Sequence, residues 1–222
     1  MEDLTLIIPA KNEKESLPNV LNELKKYNLK IIVVLEKEDL ETINSIKEHD
    51  CKILHQINKG YGDALTQGLR NVKTNFFCFF NADGSFNPNE LKNMYDLAVK
   101  RNADFIFGSR YMSGSLSQDD TIITFLGNKI FTFIGKFFFS LPISDILYTF
   151  VLGDTQKANN LQLKEKSFSF CAEFPILAKR SKHKLISVPS HERARIAGKK
   201  KVSEFKDGFL ILINMIKIYF KY

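Results

Sequence analysis

An α/β fold, a mostly parallel sheet flanked by helices, is predicted by three observations. Short apolar runs alternate with segments of helical spacing through the first half of the chain. One run, residues 76–80, is apolar at every position, as expected of a strand buried on both faces at the centre of a parallel sheet. It leads into Asn81-Ala82-Asp83-Gly84-Ser85, which places a carboxylate at the carboxyl edge of the sheet, where open α/β folds bind ligands. Asp83 is therefore a candidate metal or phosphate-site residue, although the same residues also suit an ordinary turn.

The elements follow in order. Residues 4–8 are a strand-like apolar run. Asn12 with Glu15 three positions later resembles a capping pair, and Leu17, Leu21 and Leu24 then recur at helical spacing. Residues 30–35 form a second strand and 40–48 a helix. Residues 51–54 are a short strand, and 60–71 a helix with Ala64, Leu65, Leu69 and Val72 on one side. Pro88 stands near the start of the next helix, a favoured position, and that helix runs to about Arg101. Residues 104–107 are another strand. Beyond it the character changes: residues 111–120 are polar with Gly and Ser and predict a mobile loop. Helices follow, then a helix over 173–182 and a late strand over 185–188. With no internal repeat and no low-complexity linker, the expected organisation is one domain over residues 1–202 and a C-terminal amphipathic helix over 203–222.

Composition narrows the function classes. The 222 residues are 44% hydrophobic, ample for a core, and the net charge of +7 favours anionic partners, whether nucleotides, phosphorylated lipids, an anionic membrane surface or nucleic acid, among which charge alone does not choose. The 3 cysteines have neither metal-type spacing nor a disulfide framework, which suits a reducing cytosol, and the 4 histidines show no ligand-type spacing. No secretory signal is visible, and no run of 18 apolar residues is uninterrupted. Residues 121–143 come close but are broken by Asn128, Lys129 and Lys136; residues 205–222 carry Lys206, Asp207, Lys217 and Lys221. Both segments suit a membrane interface or packing on the core. No nucleic-acid-binding motif is present, so no nucleic-acid partner is expected.

Four segments fall on the edge of the sheet where a nucleotide would meet them. Pro9-Ala10-Lys11-Asn12-Glu13 ends the first strand, and Glu36 follows the second. Asn58-Lys59-Gly60-Tyr61-Gly62-Asp63-Ala64 opens a helix, and Asn81-Ala82-Asp83 follows the 76–80 strand. Glycines admit close backbone approach, and helix N-termini favour phosphate. In this order and spacing the segments resemble the family 2 glycosyltransferases of GT-A fold, in particular the polyprenyl-phosphate group that includes dolichol-phosphate mannose synthase. Residues 9–13 resemble its Pro-x-x-Asn-Glu, residues 58–64 its Asn-x-Gly-x-Gly-x-Ala, and residues 81–83 its Asp-x-Asp with the first Asp replaced. Gly108-Ser109-Arg110-Tyr111 matches its Gly-Ser-Arg-Tyr; Glu173, Val188-Pro189 and residues 195–200 are similar to its later elements.

The resemblance, spanning roughly residues 4–202, implies an inverting transfer from a GDP- or UDP-linked sugar to a polyprenyl-phosphate or other lipid-linked acceptor, peripheral to the cytoplasmic face of the membrane. It implies that Pro9, Ala10 and Glu13 line the nucleoside pocket, that Glu36 replaces an Asp contacting base or ribose, and that Asp63 helps hold the nucleoside. Asn81, Ala82 and Asp83 would meet the diphosphate, with Asp83 and Asn81 holding Mg²⁺ or Mn²⁺. Arg110, Arg195 and Lys201 would hold phosphate groups of donor or acceptor. A phosphate acceptor needs no strong general base; a hydroxyl acceptor does, and Asp145 and Glu173 are the unranked candidates. Three departures stand out. Asn81 brings no charge, Glu36-Lys37-Glu38-Asp39 replaces Asp-Asp-Gly-Ser, and the stretch from Asp145 lacks the family's Gly and Arg. A nucleotide-sugar-binding protein without turnover is the alternative from another class.

Overall fold

The computed structural model describes residues 1–100, 103–198 and 200–221. The first half is built from β1 (Leu4–Pro9), α1 (Leu17–Leu24), β2 (Lys30–Leu35), α2 (Leu40–Ser45), β3 (Lys52–His55), α3 (Tyr61–Arg70), β4 (Phe76–Phe79), α4 (Leu91–Lys100) and β5 (Phe105–Ser109). The second half adds β6 (Leu116–Ser117), α5 (Ile122–Phe139), β7 (Val151–Asp154), α6 (Thr155–Asn159), α7 (Phe170–Arg180), β8 (Leu185–Pro189), β9 (His191–Glu192) and α8 (Glu204–Lys221).

Seven strands form one sheet in the order β3-β2-β1-β4-β7-β5-β8. All neighbours are parallel except at β7, which runs antiparallel to both β4 and β5. The sheet is buried on both faces, as the unbroken apolar strands require. Along β4, Phe77 and Phe79 join the core beneath α3, α5, α7 and α8, while Cys78 and the following Phe80 join the core beneath α1 and α4. Phe77 and Phe79 meet Phe174 of α7 edge-on, and Phe79 meets Phe170, so aromatic packing fixes α7 on the strand that leads to Asp83.

Several expectations are corrected. Asn12 and Glu15 do not cap a helix: Asn12 is left-handed at φ 52, its N–H donates to Asp39 Oδ2 at 2.7 Å, and α1 begins only at Leu17. The helix expected over 40–48 stops at Ser45. The helix from Pro88 opens with a 3₁₀ turn before α4, and its expected end at Arg101 lies outside the described residues. The strand β7 stands where helices were expected. Four residues cannot show a period, and Gly153 earns its place by packing: a Cβ there would lie 2.2 Å from the Phe105 ring. The polar stretch 111–120 is tied down by β6, which pairs with β9. The C-terminal helix α8 packs on α5 and α7 and contributes Ile211, Met215 and Ile218 to the core.

Helix α3 sets the depth of the sheet edge by close approach at Gly68, where a Cβ would lie 2.3 Å from Ile7 Cγ2 and 3.1 Å from Val34 Cγ2. Gly68→Ala is expected to destabilise the protein by about 1–3 kcal/mol through overpacking. Urea unfolding checks this, and an unchanged midpoint would contradict the packing account.

Candidate active site

A cavity of ≈ 1100 Å³ opens at the carboxyl ends of β1, β2 and β4. Pro9, Ala10, Glu13 and Glu36 line one wall; Asn81, Ala82 and Asp83 line another; Arg110, Arg195 and Lys201 also face it. Ten of the expected site residues are thus brought together. Glu13 is pinned by Ser16 Oγ at 2.6 Å, and Lys201 reaches it at 3.5 Å. Glu36 accepts from Lys11 at 2.8 Å.

The turn after β4 orients Asp83. Ser85 donates to Oδ1 through its N–H at 3.0 Å and its hydroxyl at 2.7 Å, leaving Oδ2 turned toward Arg195 at 3.5 Å. Asn81 donates to Ser85 Oγ at 3.3 Å, and its Oδ1 lies 3.5 Å from the Tyr61 hydroxyl. Among the described residues, no cluster of three His, Cys, Asp or Glu side chains could hold a metal. One carboxylate and one amide oxygen on a cavity wall nevertheless fit Mg²⁺ or Mn²⁺, hard cations commonly held by one or two carboxylates plus substrate phosphates. Asp83 and Asn81 would hold it, and the cation would neutralise charge on a departing diphosphate.

Three expected residues stand elsewhere. Asp63 caps its own turn, accepting from Asn58 N–H at 3.3 Å and Asn58 Nδ2 at 3.0 Å, and does not line the cavity. Asp145 has no exposed side-chain surface. Its oxygens accept from Arg110 N–H at 3.1 Å, Nε at 2.8 Å and Nη2 at 3.1 Å, and from Asn128 Nδ2. It positions Arg110 and is not free to act as a base. Glu173 is also buried outside the cavity; its carboxylate accepts from the backbone N–H groups of Lys164 and Glu165 at 3.0–3.1 Å. Burial raises its pKa, and these bonds oppose the rise.

Glu173 thereby fixes the 164–166 backbone against the glycine loop. A Cβ on Gly60, at φ +126, would lie 2.1 Å from Lys166 O, and one on Gly62 would lie 2.4 Å from Glu165 O. These glycines admit protein backbone; no ligand is needed to explain them.

Residues not singled out from the sequence complete the site. Asp119 and Asp120 follow β6 and face the cavity, as does Glu192 of β9; Lys200, from the 195–200 segment already likened to the family, faces it too. Asp119 accepts from Arg195 Nη2 at 2.9 Å and Nε at 3.2 Å, and Glu192 lies 3.4 Å from Arg110 Nη1. Burial pulls the Arg110 pKa down, but Asp145 and Glu192 more than reverse this, so it stands well above its ordinary value. Burial raises the Glu192 pKa, with Arg110 opposing. Asp120 accepts from the Tyr111 hydroxyl at 2.5 Å and from Thr124. The available signal was placement: two acids between a strand-ending Gly-Ser-Arg and a Thr-capped apolar helix.

The cavity then changes character. Beyond Asp120 it runs between α5 and α8, walled by Leu126, Ile130, Phe131, Phe205, Phe209 and Leu212. Both helices also show apolar side chains to the outside, with Phe137 70% and Phe205 81% exposed. Among the described residues, α5 is the one helix long and apolar enough, by length and composition, to cross a membrane. Its inner side carries buried Asn128 and Thr132, joined by a 3.2 Å hydrogen bond.

Comparison with known proteins agrees with this geometry. The chain is 25% identical to an uncharacterised protein of Methanocaldococcus jannaschii, covering 97% of this chain and 91% of the relative. It is also 25% identical to the UDP-N-acetylglucosamine–dolichyl-phosphate N-acetylglucosaminyltransferase of Methanococcus voltae, with 83% of each covered. By structure it is similar to glucosyl-3-phosphoglycerate synthase of Mycobacterium tuberculosis in complex with UDP, at TM-score 0.77 and 12% identity over 97% of this chain and 79% of that one. Mannosyl-3-phosphoglycerate synthase of Rubrobacter xylanophilus gives TM-score 0.76 at 13% identity, over 98% and 74%. These two likenesses show the fold. The family model described as Glycosyl transferase family 2 matches residues 5–161, so the chain belongs to that family and is a glycosyltransferase of GT-A fold that uses a nucleotide-sugar donor.

Proposed function

We propose that this enzyme transfers a sugar, with inversion, from a nucleotide sugar to a polyprenyl-phosphate acceptor while resting on the cytoplasmic face of a membrane. The observation that carries the reading is the continuity of one cavity from the carboxyl ends of the strands into the apolar groove between α5 and α8. A nucleoside diphosphate suits the polar end and a prenyl chain the apolar end. The Methanococcus voltae relative, whose name specifies a UDP-sugar and dolichyl phosphate, supports the same pairing.

The chemistry follows from charge. An acceptor phosphate oxygen attacks the anomeric carbon, the bond from that carbon to the donor diphosphate breaks, and the electron pair leaves with the nucleoside diphosphate. Arg195, Lys200 and Lys201 are placed to stabilise that charge, beside a divalent cation at Asp83. Loss of one well-placed group of this kind costs about 2.7–4 kcal/mol, or 10²–10³ in rate. Because a phosphate acceptor is already ionised near neutral pH, positioning supplies much of the remainder.

A second reading, transfer to a hydroxyl of a lipid-linked glycan, is favoured by Asp120. With Asp145 and Glu173 outside the cavity, Asp120 is a cavity-lining carboxylate with hydroxyl partners and no ion pair among the described residues. It is therefore a candidate to accept the proton of an attacking hydroxyl.

Three measurements test these readings. Titration calorimetry with UDP should show a Mn²⁺-dependent component that Asp83→Ala abolishes; equal binding by the variant with and without metal would remove the metal assignment. Nucleotide sugars, UDP-linked first and GDP-linked next, offered with a short polyprenyl phosphate should give a glycosylated lipid detected by mass. In the same assay Asp120→Asn should leave transfer to phosphate within a few-fold. A loss of about 10²-fold or more, confined to a lipid-linked glycan acceptor, would instead establish the hydroxyl reading. Flotation with vesicles containing anionic lipid should carry the protein, and Phe205→Asp with Phe209→Asp should release it. Flotation unaffected by the paired change would place the contact elsewhere.

A further inference from the structure

Arg195 lies between two carboxylates, and only one of them is needed for a metal. The segment carrying it is laid along the Asp83 turn. Arg193 N–H donates to Ser85 O at 2.8 Å, Ile196 N–H donates to Asp83 O at 2.8 Å, and the Arg193 guanidinium bonds Gly84 O, Phe86 O and Glu23. The backbone of this segment is therefore fixed, and the Arg195 side chain is left to choose between acids. It is 3.5 Å from Asp83 Oδ2 but 2.9 and 3.2 Å from the two oxygens of Asp119, the bidentate geometry that suits guanidinium and carboxylate. Hydrogen bonding to Asp119 also leads the causes that raise the Arg195 pKa.

A divalent cation and a guanidinium on the same carboxylate oxygen repel each other. Metal at Asp83 therefore displaces the longer of the two contacts, and the shorter one decides where Arg195 goes. We propose that Asp119 is a positioning residue that keeps Arg195 beside the donor diphosphate when a divalent cation takes Asp83. The proposal rests on the donor-site reading above. Without the Asp119 charge, Arg195 has Asp83 as its nearest anionic partner and competes with the metal for it. Lys200 also pairs with Asp119, but it bonds the Asp119 backbone carbonyl too, a contact that a side-chain substitution keeps.

The test is Mn²⁺ binding in the presence of UDP, read by electron paramagnetic resonance on the full chain as wild type, Asp119→Asn, Arg195→Gln and the double variant. Asp119→Asn should weaken Mn²⁺ binding about fivefold, the size expected for a partly exposed ion pair. In the Arg195→Gln background the same change should have no further effect, because Asp119 acts through Arg195. Asp119→Glu, which keeps the carboxylate, should stay close to wild type. An equal loss in both backgrounds would show that Asp119 merely holds its loop and would overturn the proposal, as would no loss in either. Absence of Mn²⁺–UDP binding by the wild type would overturn the donor-site reading itself.

Discussion

The buried pairing of Arg110 with Asp145 is the constraint on which the active-site end of the molecule depends. Arg110 directly follows β5, and its guanidinium is held by Asp145, approached by Glu192 of β9 and stacked 4.7 Å from the centroid of the Tyr148 ring. Asp145 in turn takes Asn128 of α5, and Thr132 of the same helix accepts the Ile146 N–H at 3.2 Å. Sheet, α5 and the β6–β9 pair therefore meet at one charge. A buried ion pair adds little net stability, but removing one partner leaves an uncompensated buried charge. The arrangement is thus better understood as fixing geometry than as a source of stability.

The same logic extends across the cavity. Although the chain carries a net charge of +7, its cavity-lining cations are paired: Lys11 with Glu36, Arg195 with Asp83 and Asp119, Lys200 with Asp119, and Lys201 with Glu13. Paired side chains are held near their working positions, which lowers the reorganisation needed when charge develops. The cost is a pocket with little excess positive potential for a diphosphate. A divalent cation at Asp83, as proposed, would supply that excess, which gives a site lined by several Lys and Arg residues a use for a metal. Asn81 sharpens the point, since a neutral residue there would lower the acidic charge such a metal must offset while still offering an oxygen ligand.

How much of this was legible in the sequence depended on whether a residue's role was local. The strand at 76–80 and its carboxylate were readable because a buried strand has no polar face and its end is fixed by the chain itself. The walls at Pro9, Glu13 and Glu36 were readable for the same reason. Asp145 and Glu173 were misassigned because a lone carboxylate carries no mark of its partners: the Arg110 and Asn128 that occupy Asp145, and the Lys164 and Glu165 amides that occupy Glu173, lie at distances along the chain that spacing does not reveal. Gly60 and Gly62 misled in the opposite way, since the backbone they admit comes from about 100 residues further on. The strand β7 was missed because its four residues, Val-Leu-Gly-Asp, have no period to read.

For the membrane contact proposed above, the two sides of α5 favour lying on a membrane over crossing one. Its outer side exposes Ile122, Phe133 and Phe137, a row of large apolar side chains rather than a single one. Its inner side buries Asn128, Thr132 and Gly135, and Asn128 is bonded to the Asp145 that holds Arg110. A helix moved into the bilayer core would have to break that bond, leaving polar groups unpaired in hydrocarbon and Asp145 short of a donor. Lying flat requires neither. On the proposed membrane-bound reading the exposed side would sink into the interface together with Phe205 and Phe209 of α8, which are exposed as well as walling the groove. In that proposed orientation the apolar arm of the cavity would open toward the lipid from which a prenyl chain would enter, with the nucleotide end in water.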